Sequence, residues 1–148
     1  MQQAYRYAVL YFLAFSLLLL VSSLLLFDDK IGLSVHGVLE YYLGNEDKFL
    51  VEKSWGTILK IILPHIFAFG LFFMVVLHFL LFTKHRTTQL FIKLTYAIFI
   101  MGFLELFSPY FIIMGLEFFA YVKLVSFISL ELLLLYTLWL LLSSIYQH

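Results

Sequence analysis

From Ile61 to Thr83 the chain runs 23 residues, IILPHIFAFGLFFMVVLHFLLFT, without one formal charge. At about 1.5 Å per residue, a helix of that length crosses a hydrocarbon core of roughly 30 Å. Water cannot be the solvent of such a segment, and the rest of the chain agrees. Of 148 residues, 64% are hydrophobic and 12% charged, against about 25% charged in an ordinary soluble domain. A chain this short and this apolar makes one bundle of spanning helices and no separate soluble domain, so residues 1–148 are read as a single integral membrane unit.

The same criterion finds the other crossings. Ala8–Phe27 is uncharged throughout. Val21-Ser22-Ser23 resembles a signal-peptide cleavage site, but the apolar run continues past it through Leu24–Phe27, where a cleaved segment would turn polar. It is read as the first span. The expected spans are residues 8–27, 61–83, 89–108 and 123–146. Ser108-Pro109 has the form of a helix cap followed by proline at the first helical position. It predicts a break there, with a short apolar segment over 109–121 before the last span. Pro64 lies inside the second span and removes the donor that would bond the carbonyl of Lys60, which predicts a bend.

Residues 28–60 form the one sizeable polar segment. Within it Ile31, Val35, Val38, Leu39 and Tyr42 share one face of a short amphipathic helix, residues 31–43. Gly44-Asn45 stops it. Such a helix lies along the interface, and Trp55 fits an interfacial anchor before the second span. The fold class is therefore all-α: a polytopic membrane four-helix bundle with an interfacial helix between spans one and two. Basic residues set the orientation. Lys84, Arg86 and Lys93 crowd one short turn without an acid. Lys30, Lys48, Lys53 and Lys60 are spread among Asp28, Asp29, Glu40, Glu46, Asp47 and Glu52, and Lys123 is counted with them. Density puts the short turn and both termini in the cytoplasm of a bacterial inner membrane.

There are no cysteines, which excludes disulfides, thiolate-held clusters, CxxCH haem attachment and a cysteine nucleophile. No Walker A loop, GxGxxG, HExxH or GxSxG occurs. The net charge is zero, which argues against nucleic acid as a partner. Too little chain lies outside the membrane for a catalytic domain, so an enzyme is not the expectation. The aromatic rings, 20% of residues, are read as packing and lipid-facing positions rather than a quinone site.

An ionisable group inside a span costs a few kcal/mol on insertion scales and needs a reason. Three such groups fall on the outer side of three different spans: His65, Glu105 and Glu131. By helix rise they lie roughly 5, 5 and 12 Å below the outer surface. Imidazole with carboxylates is a metal ligand set, and also a proton relay through Glu105 and Glu131. It is equally a polar glue between helices. His36 and Glu40, four apart on the interfacial helix, matter only if that helix folds over the bundle; otherwise they face water. His78 is read as structural, and His85 and His148 as solvated. A haem b held by two histidines needs them on facing elements at one depth. Within one chain only His36 with His65 could supply that pair. Three functions follow. The leading one is a small integral membrane subunit binding a metal ion or haem at His65, Glu105 and Glu131, accessory to a respiratory complex. The second is a structural or assembly subunit without cofactor. The third is proton or ion handling. The expected partners are the lipid bilayer, other membrane subunits, or a second copy of the chain.

Tyr41-Tyr42-Leu43-Gly44-Asn45-Glu46, Lys53-Ser54 and Leu63-Pro64-His65 follow one another over residues 30–80. This pattern resembles a group of small, uncharacterised four-span bacterial membrane proteins, in which a YYxG-like stretch and a KS pair precede a histidine-bearing second helix. In that group the helix opens with two histidines one residue apart, and here Leu63 stands at the first. The resemblance implies the four-span fold and carries no activity.

Overall fold

The computed structural model describes residues 2–83 and 88–145. The elements are α1 (Gln2–Lys30), α2 (Val35–Leu43), a 3-10 turn (Glu46–Lys48), α3 (Trp55–Leu81), α4 (Gln89–Ile113) and α5 (Phe118–Ile145). Among the described residues four helices, α1, α3, α4 and α5, are long and apolar enough to cross a membrane. The chain is an all-helical, multi-pass membrane protein, and lipid is its environment.

Local chemistry sets the helix ends. The Ser34 hydroxyl accepts from the Gly37 backbone N–H at 3.0 Å and caps α2. Gly44 ends it at φ +84°, where a Cβ would come within 2.7 Å of the Leu50 carbonyl oxygen. Ser54 caps α3 by accepting from the Thr57 N–H at 3.3 Å.

The predicted break at Ser108-Pro109 does not occur. α4 runs on through Pro109 to Ile113, and a glycine ends it instead. Gly115 has φ +87°. Its N–H donates to Ile112 O at 2.9 Å, and the Leu116 N–H donates to Phe111 O at 3.0 Å. That pair of bonds is a Schellman motif, which closes a helix on a left-handed glycine. Residues 109–121 are thus the end of α4, a tight turn and the start of α5, rather than a surface segment. Helix continuity past a proline costs one backbone bond, and a side chain described below takes up the carbonyl so released.

α5 is the central helix. Its buried side chains include Lys123, Phe127, Leu130, Leu134, Leu138, Leu141 and Ile145. Against it lies α1, whose inward positions are Val9, Leu13, Ser16, Leu20, Phe27 and the half-buried Ser23. Those positions step alternately by four and three, the spacing of a coiled-coil seam. Phe127, Glu131, Leu134, Leu138, Leu141 and Ile145 of α5 step the same way. One contact fixes the antiparallel register: the Phe27 and Phe127 rings stack with centroids 3.9 Å apart. Continued along the seam, this register sets Leu20 against Leu134, Ser16 against Leu138, Leu13 against Leu141 and Val9 against Ile145. Ser16 and Ser23 are small, which lets the two helices approach closely.

The remaining contacts form two layers. One apolar cluster joins α1, α3, α4 and α5 through Val9, Leu13, Phe73, Val76, Leu80, Ile98, Leu134 and Leu141. A second gathers Val38 and Tyr42 of α2 with Phe27, Ile58, Ile62, Ile112, Ala120 and Phe127. α2 therefore packs as a lid over the end of the bundle where α1 and α4 finish and α3 and α5 begin.

Candidate functional site

Beneath that lid lies a buried ion pair. Glu105 of α4 and Lys123 of α5 are 7% and 6% exposed, and the Lys123 ammonium bonds the Glu105 carboxylate. The same ammonium donates to the Glu105 backbone carbonyl at 2.9 Å. That carbonyl lies four residues before Pro109, the position whose N–H would otherwise have bonded it. Proline thus frees an acceptor, and Lys123 takes both acceptors of one residue. Ser108 Oγ donates to Leu104 O on α4, and Ser126 Oγ donates to Lys123 O at 3.1 Å on α5. Both hydroxyls, fully buried beside the pair, are satisfied within their own helices.

Tyr42 of α2 closes the site from above. It is 3% exposed. Burial first, then the negative charge of Glu105 and the neighbouring Tyr41, push its phenol well above the ordinary value, so it stays neutral. The Tyr42 carbonyl accepts from the Lys53 N–H at 2.9 Å, and the Lys53 ammonium lies 4.7 Å from the centre of the Tyr41 ring. The lid is thereby tied to the strand of chain leading into α3.

The residues singled out from the sequence are scattered among other partners. His65 stands on an open stretch of α3. Residues 63–68 are all exposed, and six successive helical positions cover the whole circumference, so α3 stands clear of the bundle there. The His65 Nδ1 is 2.6 Å from Ile61 O of its own helix, and its ring meets Phe69 edge-on at 6.1 Å. Glu105 is held by Lys123. Glu131 is half-buried in the α1–α5 seam. His36 is exposed, with its Nε2 3.1 Å from Glu40. Among the described residues no three His, Asp or Glu side chains come together as a group able to hold a metal ion. His78 is exposed, its ring 5.1 Å from Phe82. His85 and His148 lie outside the described residues.

Glu40 organises a separate clamp on the outer surface of the lid. Its carboxylate accepts from Lys48 Nζ at 2.7 Å and from the Asn45 side-chain amide. The Lys48 hydrogen bond above all holds its pKa below the usual carboxylate value. Asn45 and the charges of Lys48 and His36 add to this against an opposing effect of burial. Asn45 also pairs with Leu50 in both directions, each N–H···O at 2.9 Å, so the loop folds back on itself.

Lys123 is the group that sequence reasoning missed as a site residue. It was counted as a loop charge at the outer border of the last span. The signal was present: Gly115 marks the turn, and positions 105 and 123 stand at comparable distances on either side of it.

No curated protein and no solved structure matches the chain. A family model, Aq_1264_TM, described as a transmembrane helical domain, matches residues 32–148, everything after α1 and Ile31, and the chain belongs to that family.

Proposed function

We propose that the chain is a structural or assembly subunit of a bacterial inner membrane, built without a cofactor of its own, with both termini in the cytoplasm. One observation carries this reading: the buried ionisable pair is closed on itself. The Lys123 ammonium is matched by the Glu105 carboxylate and by the carbonyl that Pro109 releases, so the pair fastens α4 to α5. A metal or haem at His65 with Glu105 and Glu131 would have to unmake that pair and turn His65 inward. Lys123 also leaves the outer tally of basic residues, since it is buried inside the bundle. That supports the orientation drawn from the dense basic turn.

The test is direct. Protein purified in detergent should show no haem absorption in the visible and no stoichiometric metal by elemental analysis. His65→Ala should leave the unfolding temperature within the scatter of wild type. One haem or one metal ion per chain, lost in His65→Ala, would overturn the proposal.

A further inference from the structure

A cleft of about 310 Å³ lies between the end of α1, the lid helix α2 and the loop that follows it. Residues 28–60 hold four lysines and six acids. Three of those lysines, Lys30, Lys48 and Lys53, line the cleft, and of the acids only Glu40 does. Local chemistry brings each ammonium there. A Cβ at Gly37 would come within 2.2 Å of the Ile31 carbonyl oxygen, so glycine lets α2 lie against the end of α1 that carries Lys30. Lys48 is fixed by the Glu40 carboxylate at 2.7 Å. Lys53 is placed by its own backbone N–H, which donates to Tyr42 O at 2.9 Å. The three cations are unequally matched. Glu40 answers Lys48. Lys30 pairs with its chain neighbour Asp29 at 3.2 Å, both side chains well exposed, a contact of little strength in water. Lys53 has no acid within ion-pair distance among the described residues, and its ammonium rests on the Tyr41 ring.

We propose that this cleft holds the phosphate of an anionic phospholipid. Three ammonium groups against one carboxylate leave its lining positive, and phosphate oxygens accept charge-assisted hydrogen bonds from such donors. The level of the cleft selects a lipid over a dissolved anion. Lys30 is the last residue of α1, and Lys53 stands two residues before α3 begins at Trp55. Both therefore mark the border where a span leaves hydrocarbon, which is the height of the headgroups. The apolar part of the lining agrees. Leu50 and Val51 of the cleft wall, and Phe49 beside them, are exposed. A dissolved phosphate leaves those side chains in water, whereas the glycerol and first acyl carbons of a lipid cover them. The loop is built to keep them there. Phe49 is held at φ +56°, a left-handed conformation uncommon outside glycine, within the fold-back that Asn45 and the Glu40 clamp close. The cleft shares no residue with the Glu105–Lys123 pair, so the site is independent of the subunit role proposed above.

Lipid binding to the full chain in detergent, read by native mass spectrometry, tests this. The probes are phosphatidylglycerol, phosphatidylcholine and dissolved glycerol phosphate. Phosphatidylglycerol should bind more tightly than phosphatidylcholine, whose own ammonium answers its phosphate, and more tightly than glycerol phosphate, which lacks acyl chains. Lys30→Gln and Lys53→Gln should each weaken that binding about fivefold, and the two together about 25-fold. Lys53→Gln keeps the backbone N–H that ties the loop to Tyr42, and the Lys30 side chain is exposed, so both variants should unfold at the wild-type temperature. Lys53→Arg should retain binding. Lys60→Gln, which removes the fourth lysine of the segment, exposed and outside the cleft, should bind like wild type. Equal affinity for the two lipids, or glycerol phosphate bound as tightly as phosphatidylglycerol, would overturn the proposal. So would a loss in Lys60→Gln as large as in Lys53→Gln, or losses that only follow a fall in unfolding temperature.

Discussion

Lys123 bonds one residue twice because of a proline one helical turn further along α4. Without Pro109 the Glu105 carbonyl would be bound in the α4 ladder, and the ammonium would have only a carboxylate. With it, two acceptors of complementary charge converge on one donor group in a dry site. Removing one partner of such a pair leaves the other charged and buried, which typically costs about 3–5 kcal/mol. Replacing both with apolar groups of similar volume removes the penalty. Glu105→Leu and Lys123→Met should therefore each lower stability by roughly that amount, while the two combined should recover most of it. Unfolding in detergent, followed by circular dichroism, measures all of these. Full additivity of the two single changes would show that the side chains do not act as a pair.

At the scale of elements, α2 is held by apolar side chains below and by the Glu40 clamp above. The clamp has a defined pH window. Glu40 is held below the usual carboxylate range by Lys48 first, so its contribution is fully present above about pH 4.3. It is lost as pH falls through the lower folded value, because protonation then favours the open loop. Hydrogen exchange at the Asn45 and Leu50 amides should accelerate, relative to an intrinsic-rate correction, as pH drops below that range. Lys48→Met should abolish most of the difference. The elements themselves were legible unevenly. The charge-free runs around Phe15 and Phe72 announced crossings because no other solvent suits them, and Val35, Val38 and Tyr42 announced α2 by their spacing, although Ile31, placed on the same face, lies in the turn before it. The end of α4 was not legible from Ser108-Pro109, because serine before proline has the same form at a helix start as inside one whose lost bond is replaced. The α1–α5 seam was also hidden. In lipid both faces of a helix are apolar, so Val9, Leu13 and Leu20 do not stand out from Leu17 and Leu24 by type. The candidate site was legible only as depth, because depth along a span says where a group lies but not which way His65 points.

For the whole molecule, the basic residues now sort as Arg6, Lys84, Arg86 and Lys93 on one side, against Lys30, Lys48, Lys53 and Lys60 dispersed among acids on the other. A membrane-impermeant maleimide should label Asp47→Cys in intact cells and should reach Gln89→Cys only after the membrane is opened. The reverse pattern would invert the topology. The paired charges bear on biogenesis as well. Neither α4 nor α5 can settle alone among acyl chains without carrying a lone ionised group, which on insertion scales costs roughly 2.5–3.5 kcal/mol. Folded back at Gly115, the two helices present a neutral salt to the bilayer. By that cost the last two crossings should insert more readily together, as a hairpin, than one after the other.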